Sequence, residues 1–166
     1  MVDLLVTYME MTAPPSGEQL AAPLPGAAVT RELPDLPSYV SLYRAVGGPV
    51  QWDQRLRIPE PELEALLAST STHIHVLRLD GEAAGFCEFN DVGQPAVELV
   101  HFGLMPAFQG QRLGPFLLDQ SLRAAWSHRP GRLWLHTDTH DHPAARSVYE
   151  RAGFRAYAQR MGTFPD

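Results

Sequence analysis

The stretch Phe108-Gln109-Gly110-Gln111-Arg112-Leu113-Gly114 lies between a largely apolar run, Ala96 to Met105, and a segment with helical spacing. Leu118, Leu122, Ala125 and Trp126 recur at i, i+4, i+7 and i+8, which predicts a helix from about Gln111 to His128. The stretch therefore reads as a strand-to-helix loop. A helix start exposes unpaired N–H groups and a partial positive charge, and so attracts phosphate. Gly110 and Gly114 let the backbone approach a ligand closely. The spacing is neither the Gly-Lys-Ser/Thr loop of triphosphate-binding proteins nor the dinucleotide G-x-G-x-x-G. Alone, two glycines opening a helix are better read as an ordinary turn.

The neighbouring segments give that loop its context. Leu4 to Met11 has strand composition, and a loop with prolines at 14, 15, 23, 25, 34 and 37 follows, read as irregular. Pro37 to Tyr43 opens a helix that Gly47-Gly48-Pro49 ends, and Pro59 to Ser69 predicts a second, with Leu63, Leu66 and Leu67 on one side. His73 to Leu79 and Glu82 to Asn90 read as strands joined by the turn signal Asp80-Gly81. Gly93-Gln94-Pro95 turns the chain into the strand Ala96 to Met105. After the long helix, Pro130-Gly131 breaks the pattern and Arg132 to Thr137 is a strand. Pro143 to Ala152 is a short helix capped by Gly153, and Phe154 to Met161 a closing strand. The order predicts an α/β layer protein with a mixed sheet, in one domain over residues 1–166.

Composition narrows the chemistry. The chain of 166 residues is 45% apolar and 19% charged, which suits a globular core. The single cysteine, Cys87, excludes an internal disulfide and a zinc ribbon, and fits a reducing cytoplasm. The N-terminus carries only a short apolar run without a basic flank, so neither a signal peptide nor a membrane span is expected. All 13 basic residues are arginine, so no lysine can act as an amine nucleophile or Schiff-base residue. The net charge of -6 argues against nucleic acid and favours a cationic small partner.

Two motifs on these elements resemble the GNAT superfamily of N-acetyltransferases. The family's Gln/Arg-x-x-Gly-x-Gly/Ala loop is matched by Gln109 and Gly114, with Arg112 where glycine is usual and Pro115 directly after. The family's closing Asn-x-x-Ala-x-x-Leu-Tyr-x-x-x-Gly-Phe is matched at Ala145, Tyr149, Gly153 and Phe154, with His142 for Asn and Val148 for Leu. The resemblance runs from about residue 73 to 161. It is greatest with a bacterial branch carrying a His-Thr-x-Thr-x-Asp-His-Pro stretch. It implies a mixed, mostly antiparallel sheet of six to seven strands flanked by four helices, with a V-shaped split between the fourth and fifth strands.

The resemblance also implies a chemistry. Acetyl-CoA, the co-substrate, would lie in the split. Its pantetheine would pair with the backbone near Leu104 and Met105, and its pyrophosphate would rest on Gln109, Gly110, Gln111, Arg112, Leu113 and Gly114. The acetyl group would pass directly to an amine of a small-molecule or peptide acceptor, in the cytoplasm, without nucleic acid or membrane, and a homodimer stays open. Arg112 can pair with a phosphate, and Pro115 removes a donor where a helix start can spare one. Tyr149 sits where relatives often place the acid that protonates the leaving thiolate, although its spacing also suits a core tyrosine.

An amine with a pKa near ~10 is protonated at neutral pH, so a base must take a proton. Glu98 leads the candidates, six residues before Leu104, and Glu88 on the neighbouring strand is the alternative. His101 is a third, but it shares a face with Glu98 only if the strand bulges. Tyr39, Tyr43 and Trp52 either receive a cationic acceptor or belong to the core.

The stretch His136-Thr137-Asp138-Thr139-His140-Asp141-His142-Pro143 ends a strand and enters the last helix. Alternation places His136, Asp138 and His140 on one face, and Asp141 or His142 suits a helix cap with Pro143 in the first turn. No metal is expected there. Competing classes are a GNAT-like acyl-CoA-binding or regulatory module without catalysis, and a metal-dependent hydrolase.

Overall fold

The structure, a computed structural model, describes residues 1–164. Seven strands and four α-helices are formed among them. They are β1 Val2–Met11, β2 Ala27–Glu32, α1 Leu36–Gly47, α2 Glu60–Ala68, β3 His73–Leu79, β4 Glu82–Asn90, β5 Ala96–Leu104, α3 Leu113–Trp126, β6 Arg132–Asp138, α4 Ala145–Ala152 and β7 Arg155–Phe164. The strands form one sheet in the order β2-β3-β4-β5-β6-β1-β7. Every neighbouring pair is antiparallel except β5 and β6. This is the expected mixed, mostly antiparallel α/β fold.

Local sequence explains most elements. Asp35 caps α1, its Oδ1 accepting from Ser38 N at 2.9 Å, and Pro37 sits in the first turn. Tyr39, Leu42, Tyr43 and Val46 then fall on one buried stripe. Asp80 and Gly81 both take positive φ, +52° and +84°, the geometry a two-residue hairpin between β3 and β4 requires. Gly153 ends α4 at φ +118°.

Two apolar layers sandwich the sheet. On one face α3, with Leu113, Leu117, Leu118 and Leu122, packs on Met9, Phe89, Val97 and Leu133. On the other, α1 and α2 cover Ile74, Val76 and Phe86. A fully buried leucine or phenylalanine contributes about 1.5–3 kcal/mol, so these layers dominate stability. No helix among the described residues is long and apolar enough to cross a membrane.

The segment read as an irregular proline-rich loop contains β2. Ala27–Glu32 is the proline-free interval, and it pairs with β3 as an edge strand. Arg78 Nε bonds Glu32 Oε2 at 2.8 Å, and Asp80 N donates to Gly26 O at 3.1 Å. Half-exposed and short of apolar alternation, β2 owes its form to its neighbour.

Helix α3 starts at Leu113 rather than Gln111, because Arg112 has φ +63° and cannot continue a right-handed helix. Helix α4 starts at Ala145 rather than Pro143, and no side chain caps it. Asp141 and His142, expected as caps, bond elsewhere: Asp141 Oδ2 accepts from Asp138 N, and His142 Nδ1 from Ala144 N.

Candidate active site

Strands β5 and β6 pair only from Ala96↔Arg132 to Glu98↔Trp134, after which each follows its antiparallel neighbour. The β6-facing backbone edge of β5 beyond Leu99 therefore has no ladder partner, and the sheet opens there. A register shift sharpens the opening. Glu88 faces His101 while Phe89 faces Leu99, so Val100 is an extra residue on β5. Val97 and Leu99 point to the α3 layer, whereas His101 and Gly103 point to α1. The bulge places Glu98 and His101 on one face, the condition their spacing sets.

Two clefts meet in the split. The larger, about 520 Å³, runs from the Gly110–Gly114 loop past Leu104, Pro143 and Val148 to Tyr149. The other, about 330 Å³, is bounded by Tyr43, Gln54, His101, His136 and Asp138. Val50, Trp52, Phe102, Asp141 and Tyr149 line both. A third cavity of about 540 Å³, between the N-terminal loop, α3 and α4, reaches neither Tyr149 nor His101.

The loop has the properties of an anion cradle. Gly110 at φ +80° and Arg112 at φ +63° curl the chain before α3. The N–H groups of Gly110, Gln111 and Arg112 donate to no group among the described residues. Leu113 and Gly114 open the helix, where N–H groups have no intrahelical acceptor. Pro115 is the third residue of α3, so the missing donor is one of these orphans. A Cβ on Gly114 would meet nothing nearer than Leu104 Cδ1 at 3.8 Å, so the glycine keeps the cleft wide rather than relieving a clash. Leu104 lines this cleft. Met105 does not offer its N–H, which goes to Ala84 O at 2.8 Å.

Tyr149 stands where the clefts join, its ring against Phe102 and Phe154. Burial, then the charge of Asp141 and then Cys87, push its phenol well above the ordinary tyrosine range. It is a protonated phenol throughout the neutral range. Its hydroxyl makes no hydrogen bond among the described residues. Cys87 is buried in β4 and lines neither cleft, and burial raises its thiol.

The three proton-acceptor candidates separate. Glu88 is fully buried and bonds Arg55 Nη2 through Oε2, while Oε1 accepts from Tyr39 Oη at 2.5 Å. Burial alone would raise this carboxyl, but His101, Arg55 and Tyr39 outweigh it and hold it below the usual range. Glu98 is half-buried opposite Asn90 and lines neither cleft. Burial, then Asp91, push its carboxyl up; Arg55 opposes and Glu88 adds. His101 lines the smaller cleft, and its Nδ1 is 3.4 Å from Glu88 Oε1. That contact is too poorly directed to count as a hydrogen bond.

Arg55 is a participant the sequence did not announce. It lies in a single 3-10 turn, Arg55–Arg57, that carries its guanidinium under β4. Tyr39 and Tyr43 are fully buried core residues, whereas Trp52 is half-buried and lies against His101 at 4.9 Å between centroids. Trp52 Nε1 also reaches Asp141 Oδ1 at 3.5 Å. No three His, Cys, Asp or Glu side chains among the described residues are arranged to hold a metal.

A split sheet thus lies beside a helix start with free N–H groups. The acetyltransferase (GNAT) family profile matches residues 39–154, and the chain belongs to that family. Solved structures agree on the fold. A GNAT-family acetyltransferase from Novosphingobium aromaticivorans aligns with a TM-score of 0.65 at 19% identity, over 97% of this chain and 63% of that one. A GCN5-related N-acetyltransferase from Sphaerobacter thermophilus aligns with a TM-score of 0.63 at 18% identity, over 94% and 49%. An aminoglycoside acetyltransferase from an uncultured soil metagenomic sample, in complex with sisomicin, gives 0.62 at 16% identity, over 76% and 87%. The chain thus spans about half to two-thirds of the length of the first two relatives. No curated protein matches the sequence.

Proposed function

We propose that the chain transfers an acetyl group from acetyl-CoA to an amine by direct attack in a ternary complex. The observation that carries the reading is the meeting of two clefts at Tyr149, with the bare loop at one end and His101 at the other. The N–H groups from Gly110 to Gly114 receive the pyrophosphate, and Arg112 adds a cation at the cleft wall. The apolar wall of Leu104, Pro143 and Val148 takes the pantetheine arm, along the open edge of β5.

The acceptor enters the smaller cleft. As its nitrogen bonds to the thioester carbonyl carbon, His101 takes the departing proton at Nε2, its Nδ1 side being turned to Glu88. The carbon–sulfur bond breaks, and Tyr149 gives its proton to the thiolate. Trp52 and Phe102 wall the junction on both sides. Apo contacts of this kind are often loose and tighten when substrate binds. This assigns the base to His101 rather than Glu98 or Glu88, because it alone of the three lines a cleft.

The test is release of free thiol from acetyl-CoA across an amine panel. Thiol release that depends on the amine is expected. Tight CoA binding with no amine-dependent release would favour a binding or regulatory module.

A further inference from the structure

The acceptor cleft has an unusual charge balance for this chain. Its lining includes Asp53, Asp138 and Asp141 but none of the 13 arginines. The three carboxylates are not equivalent. Asp53 is taken by Arg57 Nε at 2.7 Å. Asp141 is used up by the Thr137 hydroxyl, Asp138 N at 3.1 Å and Trp52 Nε1 at 3.5 Å. Asp138 accepts only from His140 N, through Oδ1 at 2.8 Å, and Oδ2 has no partner among the described residues. Burial, and then the charge of Asp141, push the Asp138 carboxyl up, while His140 and His136 beside it oppose.

An independent feature points into the same cleft. His101 is 5% exposed and lines the cleft; its Nδ1 is turned to Glu88, and its Nε2 makes no hydrogen bond among the described residues. The half-buried indole of Trp52 stands beside it, a surface that favours a cation over an anion or a neutral chain. The polar groups are therefore sorted: a proton acceptor at one place and an unspent carboxylate at another.

We propose that the acceptor is a dicationic amine, one nitrogen of which is acetylated near His101 while its second ammonium or guanidinium group is held by Asp138. This rests on the acetyl-transfer reading above. A volume of about 330 Å³ admits a small molecule of this kind but not a bulky one. The separation of the two sites makes chain length a selector.

The experiment compares straight-chain diamines of increasing length with monoamines of equal length, using thiol release for turnover and calorimetry for binding in the presence of CoA. The wild-type protein should prefer a diamine of one optimal length by about tenfold in kcat/KM and in affinity, as one added, partly desolvated ion pair gives. In Asp138→Asn that ratio should fall toward one. A wild-type ratio near one, or an unchanged ratio in the variant, overturns the proposal. The wild-type comparison stands even if the variant does not fold. Absence of turnover with every amine refutes the acetyl-transfer reading instead, and the calorimetric ratio then still decides the binding claim.

Discussion

Nδ1 of His101 lies 3.4 Å from Oε1 of Glu88, across the bulge that Val100 makes in β5. Without that extra residue His101 would face the α3 layer, remote from both the smaller cleft and the buried carboxylate. The bulge thus converts a core strand into one edge of a site. If His101 takes the amine proton, His101→Gln should lower kcat about 10²–10⁴-fold. The KM for acetyl-CoA should change little, because the histidine lines the other cleft. Steady-state thiol release measures both parameters, and an unchanged kcat would remove His101 as the base.

Glu88 links this site to stability. Removing one member of a buried ion pair leaves the other uncompensated, so Glu88→Gln should destabilise the fold by roughly 3–5 kcal/mol. Its folded-state carboxyl is held below the ordinary value of 4.5. The pair's contribution is therefore full above the unfolded value, and it is lost as pH falls through the folded one. Chemical denaturation of both proteins from neutral to acidic pH should show a gap that is constant near neutrality and narrows below about 4.5. A gap that widens on acidification would contradict this account of the pair.

Tyr149→Phe should lower turnover while preserving CoA affinity, because the phenol stands at the cleft junction and its hydroxyl holds no structural bond. A loss of about 10²-fold or more in kcat fits a general acid. Calorimetric CoA titration beside a kinetic assay separates the roles: unchanged turnover removes the acid, and weakened CoA binding alone makes Tyr149 a wall.

Arg112 is strained where the family usually has glycine. A left-handed φ costs a non-glycine residue about 1–2 kcal/mol, and glycine's own loss of entropy returns about 0.5–1. Arg112→Gly should therefore raise stability by up to about 1 kcal/mol. If the guanidinium meets a CoA phosphate, the same variant should bind CoA about tenfold more weakly. Thermal melts and CoA titration read the two effects, and they are expected to move in opposite directions.

The frame was legible where local chemistry is decisive. Asp80-Gly81, Gly153 and the apolar stripe of α3 fix their elements through φ, capping and periodicity. Strand β2 was not, since Ala27–Glu32 has no apolar alternation of its own and exists by pairing with β3. Motif spacing singled out Gln109, Gly114 and Tyr149, and all three line the larger cleft. Arg55 was not, because its meeting with Glu88 joins residues 33 positions apart in the chain. Nor was the bulge at Val100, which follows from how β4 and β5 settle against two different cores. The polar stretch from His136 to Pro143 resolved differently from its look. Its Asp141 ties β6 to Trp52, and its Asp138 lines the smaller cleft.

The central claim is direct transfer between the two clefts. The measurement is a parallel assay of free CoA thiol, acetylated amine and intact protein mass after reaction with acetyl-CoA and the preferred amine. Equimolar thiol and acetylated amine, with the protein mass unchanged, is the predicted result. Acetylated protein accumulating before product, or thiol released without acetylated amine, would contradict it.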